Sequence, residues 1–142
     1  MARSHVKELV RAAFELEDVV VDEDGDLPFP CGTAMVYLSV VRGGRVLRVW
    51  SCAVSGLRTT KAVLRELDQM NGTLLLSRVF SRADAVWVEG CLPVEPLRAE
   101  DVGRLCAEVG RTADQLGVLL SAVHGGHVAF PDAADPDHVH DD

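Results

Sequence analysis

The residues of this chain that could carry catalysis are its histidines, serines and cysteines. Its five histidines stand at positions 5, 124, 127, 138 and 140, near the two ends, and none lies on a predicted strand beside Ser or Cys. Nucleophilic catalysis needs a base within hydrogen-bond reach of the nucleophile. The chain also has no GxSxG elbow, no GxxxxGKS/T phosphate loop and no GxGxxG turn. We therefore predict no catalytic residue and no enzymatic activity.

Two groups of side chains have the types, but not the spacing, of a metal site. Residues 22–26 alternate Asp around Gly25, yet counting from Asp22 puts Gly25 fourth and Thr33 twelfth, where an EF-hand needs Gly sixth and Glu twelfth. The histidines at 124, 127, 138 and 140 stand at a helix end and in a tail, where nothing fixes their geometry. The cysteines at 31, 52, 91 and 106 form no CxxC pair and are interpreted as reduced, apolar thiols. We predict no metal and no cofactor.

Composition and charge limit the partners of the chain. Its 142 residues, 48% of them hydrophobic, suffice for one domain with a sizeable core. The formal charge of −8 divides into −7 over residues 15–26, −5 over residues 132–142 and +4 over the rest. Because acid exceeds base, the sequence argues against nucleic-acid binding. No apolar run approaches a membrane span or a signal peptide, so we expect a cytoplasmic protein without a membrane partner.

Hydrophobic periodicity and turn signals predict the element order. A helix over residues 3–16 is followed by a hairpin-like segment with an Asp-Gly turn at residues 19–29. The further predicted strands are residues 33–41, 45–54, 74–81 and 85–94, and the further predicted helices run from Thr59 or Thr60 to Asn71 and from Ala99 to His124. This order predicts an α+β fold with an antiparallel sheet of about five strands, α-β-β-β-α-β-β-α. We expect a folded domain over residues 1–126 and an acidic, His-containing disordered tail over residues 127–142.

Four local sequences, taken in order, resemble a known family. They are DEDGD at residues 22–26, RELDQMNGTL at 65–74, VWVEGCLP at 86–93 and GRTADQL at 110–116, the last running on to the glycines at 125 and 126. Over about residues 3–126 the chain resembles the YbjN-like family of bacterial proteins, which is similar in fold to the chaperones of type III secretion systems. The resemblance implies the same element order, a dimer in many relatives and the binding of a peptide or unfolded partner segment. It implies no catalytic residue.

Alternation along the predicted strands separates two faces of the sheet. One face is aliphatic and belongs under the helices, whereas the other mixes aromatic, Met and Arg side chains. Interface cores are enriched in these types. We therefore predict a partner-binding surface made of Tyr37, Arg48, Trp50, Arg78, Phe80 and Trp87. The alternative is that this face packs against a helix of its own domain or is half-exposed to solvent.

The last predicted helix carries a stripe of small residues besides its apolar stripe. The stripe contains Gly103, Gly110 and Gly117. Three interior glycines destabilise an exposed helix by about 3 kcal/mol relative to alanine. We predict that close packing of a second backbone offsets this loss, either from the first helix of the chain or from a second copy in a dimer.

These patterns favour a chaperone-like domain, forming a homodimer, that binds a protein or peptide segment on the aromatic face or along an edge strand. A regulatory or structural homodimer without a client, with the aromatic face used for self-association, is the main alternative. A small-molecule sensor with a pocket between sheet and helices is a third. We also predict that the acidic tail is dispensable for folding and shields the basic body until a partner displaces it.

Overall fold

The computed structural model describes residues 27–31 and 34–128. The predicted helix at 3–16, the apolar run at 19–21, the acidic turn and the tail beyond 128 lie outside these residues. Within them the strands are β1 (Leu27–Cys31), β2 (Ala34–Val41), β3 (Val46–Ser55), β4 (Arg78–Arg82), β5 (Ala85–Pro93) and β6 (His127–Val128), and the helices are α1 (Lys61–Asn71) and α2 (Ala99–His124). The α+β class and the antiparallel sheet are thus confirmed.

Local sequence explains where the elements begin and end. Thr60 caps α1, because its side-chain oxygen accepts a hydrogen bond from the Val63 amide at 3.2 Å. The two-residue turn between β4 and β5 has positive φ at both central residues, Ala83 and Asp84. Such a turn matches the right-handed twist of the flanking strands. The helix α2 ends before Gly125, which has φ of 82°, as predicted.

The strand order is β1-β2-β3-β5-β4, with β6 paired to β3, and all pairs are antiparallel. The sheet has six strands among the described residues rather than about five, because the first two residues of the predicted tail form β6. Along the chain, β3 is followed by α1 and then by β4, but β4 does not pair with β3. Instead β5 pairs with β3, and β4 lies beside β5 at the end of the strand order. The mostly apolar β5 therefore lies inside the sheet, whereas β4 has Arg at both ends.

The main core lies between one face of the sheet and the helices. It unites Val36, Leu38 and Val88 from the sheet with Leu105 and Leu116 from α2. The aliphatic face predicted from alternation is therefore confirmed. A bulge in β3 between Cys52 and Val54 changes the alternation, so that Val54 joins this core although Trp50 and Cys52 belong to the opposite cluster.

The predicted strand start at residue 74 is wrong, since β4 begins at Arg78. The preceding loop is instead held by Glu108 of α2. One Glu108 carboxylate oxygen accepts from the Leu76 amide at 3.0 Å and from the Ser77 hydroxyl at 2.6 Å, and the other lies 3.3 Å from the Leu75 amide. These backbone groups thus bond to a side chain rather than to a neighbouring strand.

Candidate functional site

The face of the sheet away from the main core carries a second apolar cluster. Its buried members include Tyr37, Trp50, Cys52 and Trp87. The Tyr37 and Trp50 rings stack with centroids 4.5 Å apart, and the Trp50 and Trp87 rings lie 6.2 Å apart at 57°. Trp50 is only 1% exposed. Both faces of the sheet are therefore buried at its centre, as in sheets that are apolar on both sides.

The two tryptophans have hydrogen-bond partners within the chain. Trp50 Nε1 lies 3.4 Å from the Ser39 hydroxyl, and Trp87 Nε1 donates to the Arg82 carbonyl at 3.2 Å. Buried indole groups normally require such partners. Such partners are typical of side chains that are buried within a single folded chain, without a second protein.

A charged network borders this aromatic cluster. Glu89 on β5 accepts hydrogen bonds from Arg48 Nε at 2.7 Å and from Arg78 Nη2 at 2.9 Å. The side chains of Arg48 and Glu89 are almost fully buried, whereas that of Arg78 is 67% exposed. The Arg48 guanidinium also lies 5.2 Å from the Trp50 ring centroid. Glu89 thus links a buried cation to an accessible one.

The accessible part of this face is on β4. Arg78, Phe80 and Arg82 alternate along the strand and therefore share one face. The guanidinium carbons of Arg78 and Arg82 lie 4.9 and 5.2 Å from the Phe80 ring centroid, within cation–π range. Arg78 is exposed, and Phe80 and Arg82 are half-buried. We call these three residues the β4 patch.

The two ends of the strand order are poorly suited to pairing with an added strand. The Asn71 side chain accepts from the Val79 amide at 2.8 Å and donates to the Val79 carbonyl at 3.0 Å. It occupies both groups that Val79 would offer to a new neighbour of β4. At the other end, β1 contains Pro28 and Pro30 at alternate positions, and proline has no amide hydrogen to donate.

Two cysteines of the described residues have thiols with a raised pKa. Burial raises the pKa of the Cys52 thiol to about 12, which removes the nucleophilic thiolate. Burial and then the Glu89 charge raise the pKa of Cys91. Over residues 27–31 and 34–128 no three His, Cys, Asp or Glu side chains come together as metal ligands. His124 instead lies 3.2 Å from Glu66 of α1.

The small residues of α2 are buried to different extents. Gly110 and Gly117 are buried within a single chain, and Gly103 is half-buried. Because Gly110 and Gly117 are already buried in one chain, their burial supports packing within the chain over packing against a second copy. Which backbone approaches them stays a prediction.

The outer face of α2 changes character along its length. Its first turns carry charged side chains, with Arg104 lying 3.9 Å from Glu100 and 4.0 Å from Asp101. Its last turns instead expose the large apolar side chains Val118, Leu119 and Val123. Val118, Leu119 and Val123 therefore make the end of this outer face apolar, although its first turns are charged.

The six predicted partner-binding residues thus fall into two groups. Four are buried in or beside the aromatic cluster: Tyr37, Arg48, Trp50 and Trp87. Arg78 and Phe80 lie at the accessible β4 patch, and partner binding by all six stays a prediction. Sequence reasoning did not select Arg82, which it assigned to a turn, or Glu89, which connects the cations. The signal for Arg82 was its alternation with Arg78 and Phe80.

Three solved protein complexes contain a chain of similar fold. The ExsC–ExsE complex matches with TM-score 0.64 and 17% identity over 83% of this chain and 95% of that chain. The Yersinia pestis type III secretion chaperone SycH, in complex with a fragment of YscM2, matches with TM-score 0.64 and 15% identity over 80% and 98%. The HopA1–SchA chaperone–effector complex matches with TM-score 0.63 and 14% identity over 81% and 94%. At these identities the likeness concerns the fold, which is that of type III secretion chaperones.

The family is shown by the sequence itself. Residues 1–132 match the family described as T3SS (YopN, CesT) and YbjN peptide-binding chaperone 1. The chain belongs to this family of peptide-binding chaperones, which confirms the resemblance drawn from its four local sequences. No curated protein sequence matches the chain significantly. Neither described helix is both long and apolar enough to cross a membrane.

Proposed function

We propose that this chain is a cytoplasmic, non-enzymatic chaperone-like domain that binds an acidic, partly aromatic segment of a client protein across the β4 patch. The observation that carries the proposal is the pair of arginines on either side of Phe80 along an accessible strand. Arginine binds carboxylates through bidentate hydrogen bonds and stacks on aromatic rings. A client segment with both groups would use both properties.

The charge of this face supports an acidic client. Its strands carry Arg48, Arg78 and Arg82 against the single carboxylate of Glu89, a sum of +2. Arg48 is buried beside Glu89, so the cations of this face that solvent reaches are Arg78, which Glu89 also contacts, and the half-buried Arg82. Surface cations of this kind steer acidic partners and favour them over basic ones.

The geometry of the sheet favours contact through side chains over strand addition. A client strand added beside β4 would have to displace the Asn71 amide from Val79. A strand added beside β1 would meet two prolines without amide hydrogens. Of the two binding modes predicted from sequence, these contacts support the face rather than an edge strand.

We also propose a homodimer, as in many relatives of the family. The support comes from the apolar last turns of α2, where a second copy would cover Val118, Leu119 and Val123. Sedimentation velocity on the wild-type chain and on Leu119→Glu tests this state. A monomeric wild-type chain over the whole concentration range would contradict it.

Selection from a library of random peptides tests the client proposal. The full chain is immobilised, and enriched peptides are resynthesised with a fluorescent label for anisotropy titrations. We expect enrichment of Asp, Glu and aromatic residues. Binding should weaken about tenfold, or about 1.4 kcal/mol, when Arg78→Gln and Arg82→Gln remove both cations. The matched control, Arg104→Gln with Arg111→Gln, removes two exposed cations from α2 and should leave the affinity unchanged.

Equal loss of affinity in both double variants would indicate a general charge effect and contradict the proposal. Enriched peptides without acidic residues would contradict it as well. Circular dichroism of each variant confirms that the fold is intact, and both substituted pairs are on strand or helix surfaces where such changes are tolerated.

A further inference from the structure

The acid that would bind the β4 patch is also present in the chain. Residues 132–142 contain five Asp and no Lys or Arg, and Phe130 precedes them. The segment therefore combines carboxylates with an aromatic ring, which is the chemistry that the alternating Arg78, Phe80 and Arg82 recognise.

The register of the sheet places Val128, four residues before this segment, level with the patch. Val128 on β6 pairs with Val54, Val54 pairs with Val86, and Val86 pairs with Ser81, the residue between Phe80 and Arg82. Three strand spacings separate Val128 from Ser81, which is about 14 Å. Six residues of extended chain reach about 20 Å, so the chain can bring residue 134 and those after it to the patch.

The direction of β6 is also suitable. The strand β6 is antiparallel to β3, and β4 is antiparallel to β5 and therefore parallel to β3. At Val128 the chain consequently points from the level of Ser81 towards the level of Arg78. The direction of the chain at Val128 is therefore compatible with contact between the following segment and the patch.

We propose that the segment 132–142 binds the β4 patch of its own chain and competes there with the client. This inference rests on the proposed function for the identity of the competitor, but binding of the segment itself does not depend on any client. Tethering gives the segment a high effective concentration at the patch, on the order of millimolar for a short linker. A client must therefore bind tightly enough to displace it, which excludes weak acidic ligands.

A labelled synthetic peptide of residues 129–142 is the probe for this proposal. Its binding is measured by anisotropy against the full wild-type chain and against a full chain in which the five Asp of residues 132–142 are replaced by Asn. We expect the neutralised chain to bind the peptide about tenfold more tightly, since the tethered competitor is removed. Added salt should weaken this binding, because exposed charges are screened.

Two further variants, made in the neutralised chain, locate the binding site. Arg78→Gln with Arg82→Gln should reduce peptide affinity about tenfold, whereas Arg104→Gln with Arg111→Gln should not change it. A second control replaces five acids of residues 15–26 by their amides, and this chain should bind the peptide as the wild type does. Equal peptide affinity of the wild-type and neutralised chains would overturn the proposal, as would no binding to either or an unchanged affinity after loss of both patch arginines.

The peptides selected for the proposed function keep the two ideas apart. If they bind the β4 patch of the wild-type chain while the 129–142 peptide does not bind, self-competition is wrong and the client site stands. If the 129–142 peptide binds the patch and no selected peptide does, the client proposal is wrong and the self-contact stands.

Discussion

The buried contact between Arg48 and Glu89 leads to a quantitative prediction for the stability of the fold. Glu89 holds two cations, but the two contacts differ in burial. The side chains of Arg48 and Glu89 are 5% and 12% exposed, whereas that of Arg78 is 67% exposed. Exposed pairs contribute about 0.2–1 kcal/mol. Removing one partner of a buried pair destabilises by about 3–5 kcal/mol, because the other charge stays buried without compensation.

Glu89→Gln should therefore lower the free energy of unfolding by about 3 kcal/mol, at the low end of the range for a buried pair because the amide oxygen still accepts one hydrogen bond. Arg78→Gln should lower it by no more than about 1 kcal/mol. Urea unfolding followed by tryptophan fluorescence measures both. Trp50 is a suitable reporter, since the Arg48 guanidinium lies 5.2 Å from its ring centroid.

A double substitution provides the control. Arg48→Met with Glu89→Leu removes both buried charges and should be more stable than Glu89→Gln alone, because no unpaired charge stays buried. If Glu89→Gln and Arg78→Gln lower stability equally, or if the double variant is the least stable of the three, burial does not determine the strength of these contacts and the reasoning is wrong.

Three other predictions concern the turn between β4 and β5, the hydrogen bonds of Glu108 to the loop before β4, and the close packing around Gly90. Ala83→Asn with Asp84→Gly should stabilise the chain by about 1 kcal/mol in urea unfolding, since both positions have φ of 55°, which Asn and Gly adopt more readily. Burial raises the pKa of Glu108, but hydrogen bonds from the Ser77 hydroxyl and from three backbone amides, those of Leu75, Leu76 and Ser77, outweigh this and lower it below its usual value of 4.5. Stability from Glu108 should be complete above that pH and be lost as pH falls through the folded-state pKa, so Glu108→Gln should lose less stability than wild type between about pH 6 and 3. Gly90→Ala should destabilise by about 1–3 kcal/mol in the same assay, because a Cβ there overlaps Leu105 and lies 3.0 Å from the Leu76 carbonyl oxygen.

Local signals predicted much of the fold, because turns, caps and helix ends depend on neighbouring residues. The bounds of α2 are those expected from the sequence, and Thr60 was one of two predicted caps for α1. The order of the strands is a different matter. That β5 separates β3 from β4 depends on contacts distant in sequence, which periodicity does not contain. The bulge after Cys52 likewise reverses the alternation of side chains between the two faces, and β3 contains no glycine that would indicate it.

The candidate site shows the same limit. Alternation assigned Tyr37, Trp50, Phe80 and Trp87 to one face, and the structure brings them together there. It did not determine which of them are accessible, since aromatic and Arg side chains are enriched both in interfaces and in buried clusters with satisfied polar groups. Burial follows from the whole fold, so only the structure separates the accessible Arg78 from the buried Arg48.

This separation determines how binding should be probed. Trp87 pairs across the strands with Phe80, and its indole donates to the Arg82 carbonyl at 3.2 Å. Trp87 therefore helps to hold Phe80 and the Arg82 backbone, both part of the β4 patch, in position. Replacing Trp87 by Ala would remove a fully buried aromatic ring, which destabilises by about 3–5 kcal/mol, and any loss of client would follow from unfolding. Replacing Arg78 and Arg82 leaves that support in place, so a loss of affinity in that variant reports the binding surface itself.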